Sequence, residues 1–306
     1  MSPLVITLSV ICLVVTPISF FFNTCIIMET GKSFINGVKT NQVDLIHLAI
    51  GISNILMQCI LTTDDICYYF PKLYNSKGYI VVILPLMFTI RFSYWLMAWL
   101  CACYCTNITR FNHRIFIFIK KTISSFLPHL LFLSGIGSLG LAFVNIRRVM
   151  LEISDPTEST FNTTQIQEED AFIYPKILCI TLEYFFPFLI IVTSLMVTVS
   201  SLLTHIRNMN KAGSDIKQNI QIHINAARTM MLLLLLSIVF YISTIIDILV
   251  TYNPENIESN ICWIMVSIFP AAEGAILIHG SPKLRNMFLT WLSAGGLLGC
   301  CSEIAK

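Results

Sequence analysis

Hydrophobic and polar positions along this chain fall in long blocks. Seven apolar runs, each close to the roughly 20 residues that cross a bilayer, are separated by polar segments and predict helices over 4–28, 44–62, 79–105, 123–146, 177–205, 229–251 and 261–281. The clearest is Pro187 to Met209, PFLIIVTSLMVTVSSLLTHIRNM, which opens on a proline and carries Ser and Thr through an apolar helical period. It closes on His205 and Arg207 and enters a polar, basic loop. A membrane helix tolerates proline because neighbouring groups re-satisfy the freed backbone, and a basic exit marks a cytoplasmic end. The fold class predicted is an all-α membrane protein, a seven-transmembrane helix bundle over residues 1–285 with a short amphipathic tail over 286–306.

Seven crossings put the termini on opposite sides. With the N-terminus outside, the cytoplasmic segments hold Lys32, Lys39, Arg110, Arg114, Lys120, Lys121, Arg207, Lys211, Lys217, Arg228, Lys283, Arg285 and Lys306. The exterior segments then hold Lys72, Lys77, Arg147, Arg148 and Lys176. Thirteen basic residues against five set the N-terminus outside and the C-terminus in the cytoplasm. Glu152, Asp155, Glu158, Glu168, Glu169 and Asp170 all fall in the exterior loop that carries Asn162-Thr163-Thr164, a glycosylation acceptor. Asn107-Ile108-Thr109 has the same pattern but sits at the inner end of helix 3 and is expected to stay bare.

Composition sharpens the class. The 306 residues are 56% hydrophobic and 12% charged, about half the charged fraction of a soluble domain, with a mean hydropathy of +0.77. A net charge of +2 gives no reason to expect nucleic acid. Eleven cysteines lie mostly within apolar runs, without a CxxC pair or a His/Cys cluster, and read as packing residues. No metal, cofactor or nucleophile motif is expected, and no enzyme chemistry. The first apolar run, from about Leu4, is too long for the core of a cleavable leader and reads as a signal anchor.

Gly135-x-Gly137-x-x-Gly140 spells a dinucleotide fingerprint without a strand before it; inside helix 4 it is expected to let that helix pack closely on a neighbour. After helix 7, Lys283, Leu284, Arg285, Met287, Phe288, Leu289 and Trp291 form a basic amphipathic stretch suited to the lipid of the inner leaflet. Cys300-Cys301 beyond it is a candidate palmitoylation pair.

Four segments resemble the bitter taste receptors (type 2 taste receptors), a seven-helix G protein-coupled family. Helix 5 carries Pro187-Phe188, Ser194, Ser200 or Ser201, Leu202, His205 and Met209; the third inner loop carries His223, Ala226, Arg228 and Thr229. Helix 3 carries Trp95, Leu100, Tyr104, Ile108 and Phe111; helix 7 carries Phe269-Pro270, Ile276-Leu277-Ile278, Gly280 and Lys283-Leu284. There is no DRY after helix 3 and no NPxxY in helix 7, which disfavours an ordinary rhodopsin-like receptor. The chain departs from the family with Ser53-Asn54 where Ser-Arg is usual, Asn107 for a Lys, Glu273-Gly274 for His-Ser, and Ser281-Pro282 after Gly280.

Ionisable groups at membrane depth are costly and so become functional candidates. Arg91 in helix 3 and Glu183 in helix 5 are expected to pair, either to hold the two helices or to leave Glu183 as counter-charge for a basic ligand. By the family's register, Glu273 falls near Asn23 and Asn54, a polar inner switch in which two amides supply a buried carboxylate with donors. The same register puts the ligand pocket on Leu86, Ile90, Phe240 and Trp263, with Phe88 and Tyr184 nearby and Asp247 closer to the rim. The resemblance implies a plasma-membrane receptor for a small bitter agonist, coupled to a heterotrimeric G protein of the gustducin-like or inhibitory class. Its inner face would use Tyr104, Arg110, Lys120, Lys121, His205, Arg207 and Lys211. The alternatives are a vomeronasal-type chemoreceptor, against which the helix 5 pattern argues, and a transporter or channel using Arg91, Glu183 and Glu273 as a relay. The transporter would be expected to show an internal repeat, and none is seen.

Overall fold

The computed structural model describes residues 3–35, 41–69, 76–108, 114–154, 184–212, 217–249 and 257–293. Within them run α1 (Pro3–Ile35), α2 (Gln42–Tyr69), α3 (Ser76–Ile108), α4 (Arg114–Ser154), α5 (Phe186–Ala212), α6 (Lys217–Leu249), α7 (Ile257–Gly280) and α8 (Pro282–Ser293). The first seven are long and apolar enough to cross a membrane. They outrun the apolar blocks that predict them. α4 begins at Arg114 rather than 123, and α6 at Lys217 rather than 229. Hydropathy marks the hydrocarbon slab, about 30 Å thick, whereas the backbone ladder continues into the polar layers on either side, at about 1.5 Å per residue.

α3 is the hub, packed against α2, α4, α5 and α6. Tyr94, Leu96, Met97, Leu100, Cys101 and Cys103 are all buried, so the inner half of this helix is enclosed by its neighbours. α1 packs between α2 and α7, and α7 closes onto α6. The outward faces are apolar instead: Leu13, Val81, Phe132 and Leu133 are each more than 60% exposed, which suits lipid rather than water.

The glycines of α4 do not act as expected. A side chain at Gly135 would reach Phe92 of α3 at an ordinary 3.6 Å, while Gly137 and Gly140 face open space. Contact with α3 runs instead through Trp99, whose indole N–H donates to Ser134 Oγ at 3.0 Å. The close approaches lie elsewhere: one where Gly280 of α7 meets Thr229 of α6, and two around α1. A Cβ on Gly51 of α2 would lie 2.8 Å from Ile27, and one on Gly274 of α7 would lie 3.1 Å from Phe22. Two missing side chains thus let α2 and α7 seat directly against the middle of α1.

α8 starts on a cap. The backbone N–H of Leu284 reaches Ser281 Oγ at 3.5 Å, with Pro282 in the first helical position, where its missing N–H costs nothing. The Ser281-Pro282 departure from the family pattern is therefore a helix start. Leu284, Met287, Phe288 and Trp291 recur at helical spacing, and much of that stripe docks on α1: Phe288 lies 5.8 Å from both Phe21 and Phe22, and Trp291 lies 6.5 Å from Phe21. Lys283 completes the dock, donating to Ser33 Oγ at 2.9 Å and pairing with Asp44 at 3.2 Å.

Candidate functional site

Two constructions meet on α7. The first is a column of rings. α5 is preceded by a wide turn at Tyr184 and Phe185, and its proline, Pro187, stands second in the helix, where it breaks no intrahelical bond. Tyr184 is thereby turned inward, edge-on to Tyr94 of α3 at 5.1 Å. Tyr94 stacks on Phe240 of α6 at 5.3 Å, and Phe240 on Phe269 of α7 at 4.1 Å. Tyr94, Phe240 and Phe269 are each 1% exposed, so the rings fill their own space.

Leu86 is buried and Ile90 half-buried on the same helix as Tyr94. Arg91 is buried one position on, with an NH2 group 3.8 Å from Met87 Sδ. Its expected partner Glu183 lies outside the described residues, as does the side chain of Asp247. Phe88 stacks on Phe92 at 5.6 Å. Trp263 turns to α2, where its indole N–H donates to Asp65 Oδ1 at 3.2 Å.

The second construction is a polar seam among α1, α2 and α7. Asn23 Nδ2 donates to the carbonyls of Ser19 at 2.8 Å and Pro270 at 3.1 Å. Asn54 Nδ2 donates to Asn23 Oδ1 at 3.1 Å and to Glu273 Oε2 at 2.9 Å. Asn23, Asn54 and Glu273 have no solvent exposure at all. The structure thus brings together the three residues proposed for the inner switch. The two glycine approaches onto α1 make this geometry reachable: Asn23 lies between Gly51 and Gly274, within 3.3 Å of where each would carry a Cβ.

Sequence reasoning missed the rest of the seam. Gln58 Nε2 donates to Thr16 Oγ1 at 2.9 Å, Cys12 Sγ lies 3.6 Å from Ser267 Oγ, and Asp65 receives Trp263. The signal was present: Asn54, Gln58 and Asp65 share one face of α2, since offsets of four and eleven residues nearly close whole turns. Towards the other end, His47 Nε2 lies 3.2 Å from Tyr104 Oη, joining α2 to α3. Lys120 and Lys121 fall on the first turns of α4, and His205, Arg207 and Lys211 on the last turns of α5; their side chains, with Arg110 and Asn162, lie outside the described residues.

The seven membrane-length helices are arranged in the rhodopsin architecture. The chain superposes over 96% of its length on 86% of the crystal structure of squid rhodopsin, with a TM-score of 0.60 and 13% identity. Residues 1–295 match the taste receptor protein (TAS2R) family, and the chain belongs to that family. It is 23% identical over 271 residues to taste receptor type 2 member 40 of Gallus gallus, covering 87% of each chain. It is 25% identical over 276 residues to taste receptor type 2 member 4 of Homo sapiens, covering 88% of this chain and 91% of that one. The protein is therefore a chemosensory G protein-coupled receptor, a multi-pass protein of the plasma membrane, in a family of receptors rather than enzymes.

Proposed function

We propose that the receptor responds to small bitter compounds, which enter between the outer ends of α3, α5, α6 and α7 and press on the ring column. One observation carries this reading. The column ends at Phe269, and the next residue, Pro270, offers its carbonyl to Asn23. A ligand that displaces Tyr184, Tyr94 or Phe240 therefore acts through packed rings on the Asn23–Asn54–Glu273 knot, which serves as the inner switch. Leu86, Ile90 and Arg91 belong to the α3 side of the pocket, Glu183 supplies a counter-charge to Arg91 or to a basic ligand, and Trp263 closes the α7 side against Asp65. Apolar lining binds by burial, at roughly 25 cal/mol per Å², with few directional contacts, so the agonist range is broad. A ligand shifts the receptor only as far as it prefers one state over the other.

The N-terminus and a glycan on Asn162 lie outside. The ends bearing Tyr104, Arg110, Lys120, Lys121, His205, Arg207 and Lys211 meet a heterotrimeric G protein of the gustducin-like or inhibitory class. The test is calcium release in cells expressing the receptor with a promiscuous G protein, across a panel of bitter compounds. Responses to several chemically unlike members support the reading, and silence across the panel at confirmed surface expression overturns it. Cysteine placed at 211 should label with an impermeant maleimide only after permeabilisation; labelling in intact cells would reverse the topology.

A further inference from the structure

The polar seam between α1, α2 and α7 has too many acceptors. Each helix contributes one stripe at helical spacing: Cys12, Thr16, Ser19 and Asn23 on α1; Asn54, Gln58 and Asp65 on α2; Trp263, Ser267, Pro270 and Glu273 on α7. The amide nitrogens of Asn23, Asn54 and Gln58 are all committed as donors. What remains without a partner in this seam is oxygen only: Glu273 Oε1, Asn54 Oδ1 and, one turn along α2, Gln58 Oε1. All three side chains are buried, at 1% exposure or less. Flipping an amide would not help, because each nitrogen already has its acceptor. A buried acceptor without a donor is costly, and the group bonded to the carboxylate is a neutral amide.

We propose that Glu273, Asn54 and Asn23 bind a monovalent cation of the sodium type, with Gln58 and Asp65 as the oxygen-lined approach from the outer side. The donor set fits a hard ion: one carboxylate and neutral carbonyl oxygens, without nitrogen or thiolate ligands. A single carboxylate suits one positive charge better than two. A proton on Glu273 supplies one donor, enough for one of the two amide oxygens and not both, whereas a cation that keeps some of its own water can serve all three. The proposal stands apart from the agonist reading, since occupancy is measured without ligand or G protein.

The experiment is thermal unfolding of the purified full-length receptor, followed by tryptophan fluorescence in sodium chloride or in choline chloride at equal ionic strength. Sodium should raise the wild-type midpoint by about 2–4 °C, and Glu273→Gln should abolish the difference. Gln58→Glu, which adds a second carboxylate beside the site and spares the Asn54 donor, should move the half-maximal sodium effect to several-fold lower concentration; this variant decides the matter if Glu273→Gln does not fold. Equal wild-type midpoints in the two salts would overturn the proposal, as would a sodium effect that persists in Glu273→Gln. So would acid in choline reproducing the whole gain, which would mean a shared proton instead.

Discussion

The ring column and the polar seam meet at Phe269 and Pro270, yet they are built on opposite terms. The column is held by stacked faces and edges with ring centroids 4.1–5.3 Å apart. Such contacts are individually weak and tolerate several geometries. The seam is specified donor by donor: Asn54 Nδ2 serves two acceptors at once, and Asn23 Nδ2 serves two carbonyls on different helices. A network of that kind is worth most when complete and costs most when half-made. The contrast teaches which part can move. On the function proposed above, the rings slide to admit varied molecules at modest cost, while the seam acts as a switch between discrete arrangements.

The sharpest way to break this contrast is to damage the seam with a near-isosteric change. Asn54→Leu should cost more than any single ring, because it strips the donor from Glu273 and Asn23 inside the bundle, about 1–3 kcal/mol for each buried group left unpaired. Surface staining of intact cells should fall severely. Phe240→Leu removes far more ring area yet leaves no polar atom stranded; surface expression should stay near wild type while agonist potency drops about tenfold, a change of about 1.4 kcal/mol. If Phe240→Leu is retained inside the cell and Asn54→Leu is not, the contrast is wrong.

Smaller changes sharpen it. Trp263→Phe keeps a ring but removes the N–H that Asp65 accepts, at a half-buried site worth about 1 kcal/mol. Agonist EC50 should rise about fivefold, with normal expression, in concentration–response curves. Lys283→Ala breaks the pair with Asp44, where the lysine is 40% exposed. Exposed pairs contribute about 0–1 kcal/mol, so expression and response should both be near wild type.

The bundle was legible in the sequence because lipid demands long apolar runs, and the seven blocks of 20 or so residues map directly onto α1–α7. Helix ends were not, because a stretch such as Lys217–Arg228 reads as polar loop while its backbone stays helical. Glu273 stood out because carboxylates are rare at membrane depth, and the register of the resembling family set Asn23 and Asn54 beside it. Tyr94 and Phe269 did not stand out as parts of one column, since aromatics at helical spacing are ordinary core. Trp263 was reached through the family's register, but its partner Asp65 was hidden near the polar end of an apolar run. The glycines of α4 misled because a spacing says nothing of the side it faces. Gly51 and Gly274 instead admit α1, and Gly280 admits Thr229 of α6.

The central claim, that agonists act through the stacked rings onto Pro270, is tested most directly by a double-mutant cycle on Phe240 and Phe269. Concentration–response curves would be measured for Phe240→Leu, Phe269→Leu and the double variant at matched surface expression. If the two rings form one element, the double variant will lose no more potency than the worse single variant, since residues in direct contact are not additive. If the losses multiply, the rings act independently and the column is not the route from the pocket to the seam.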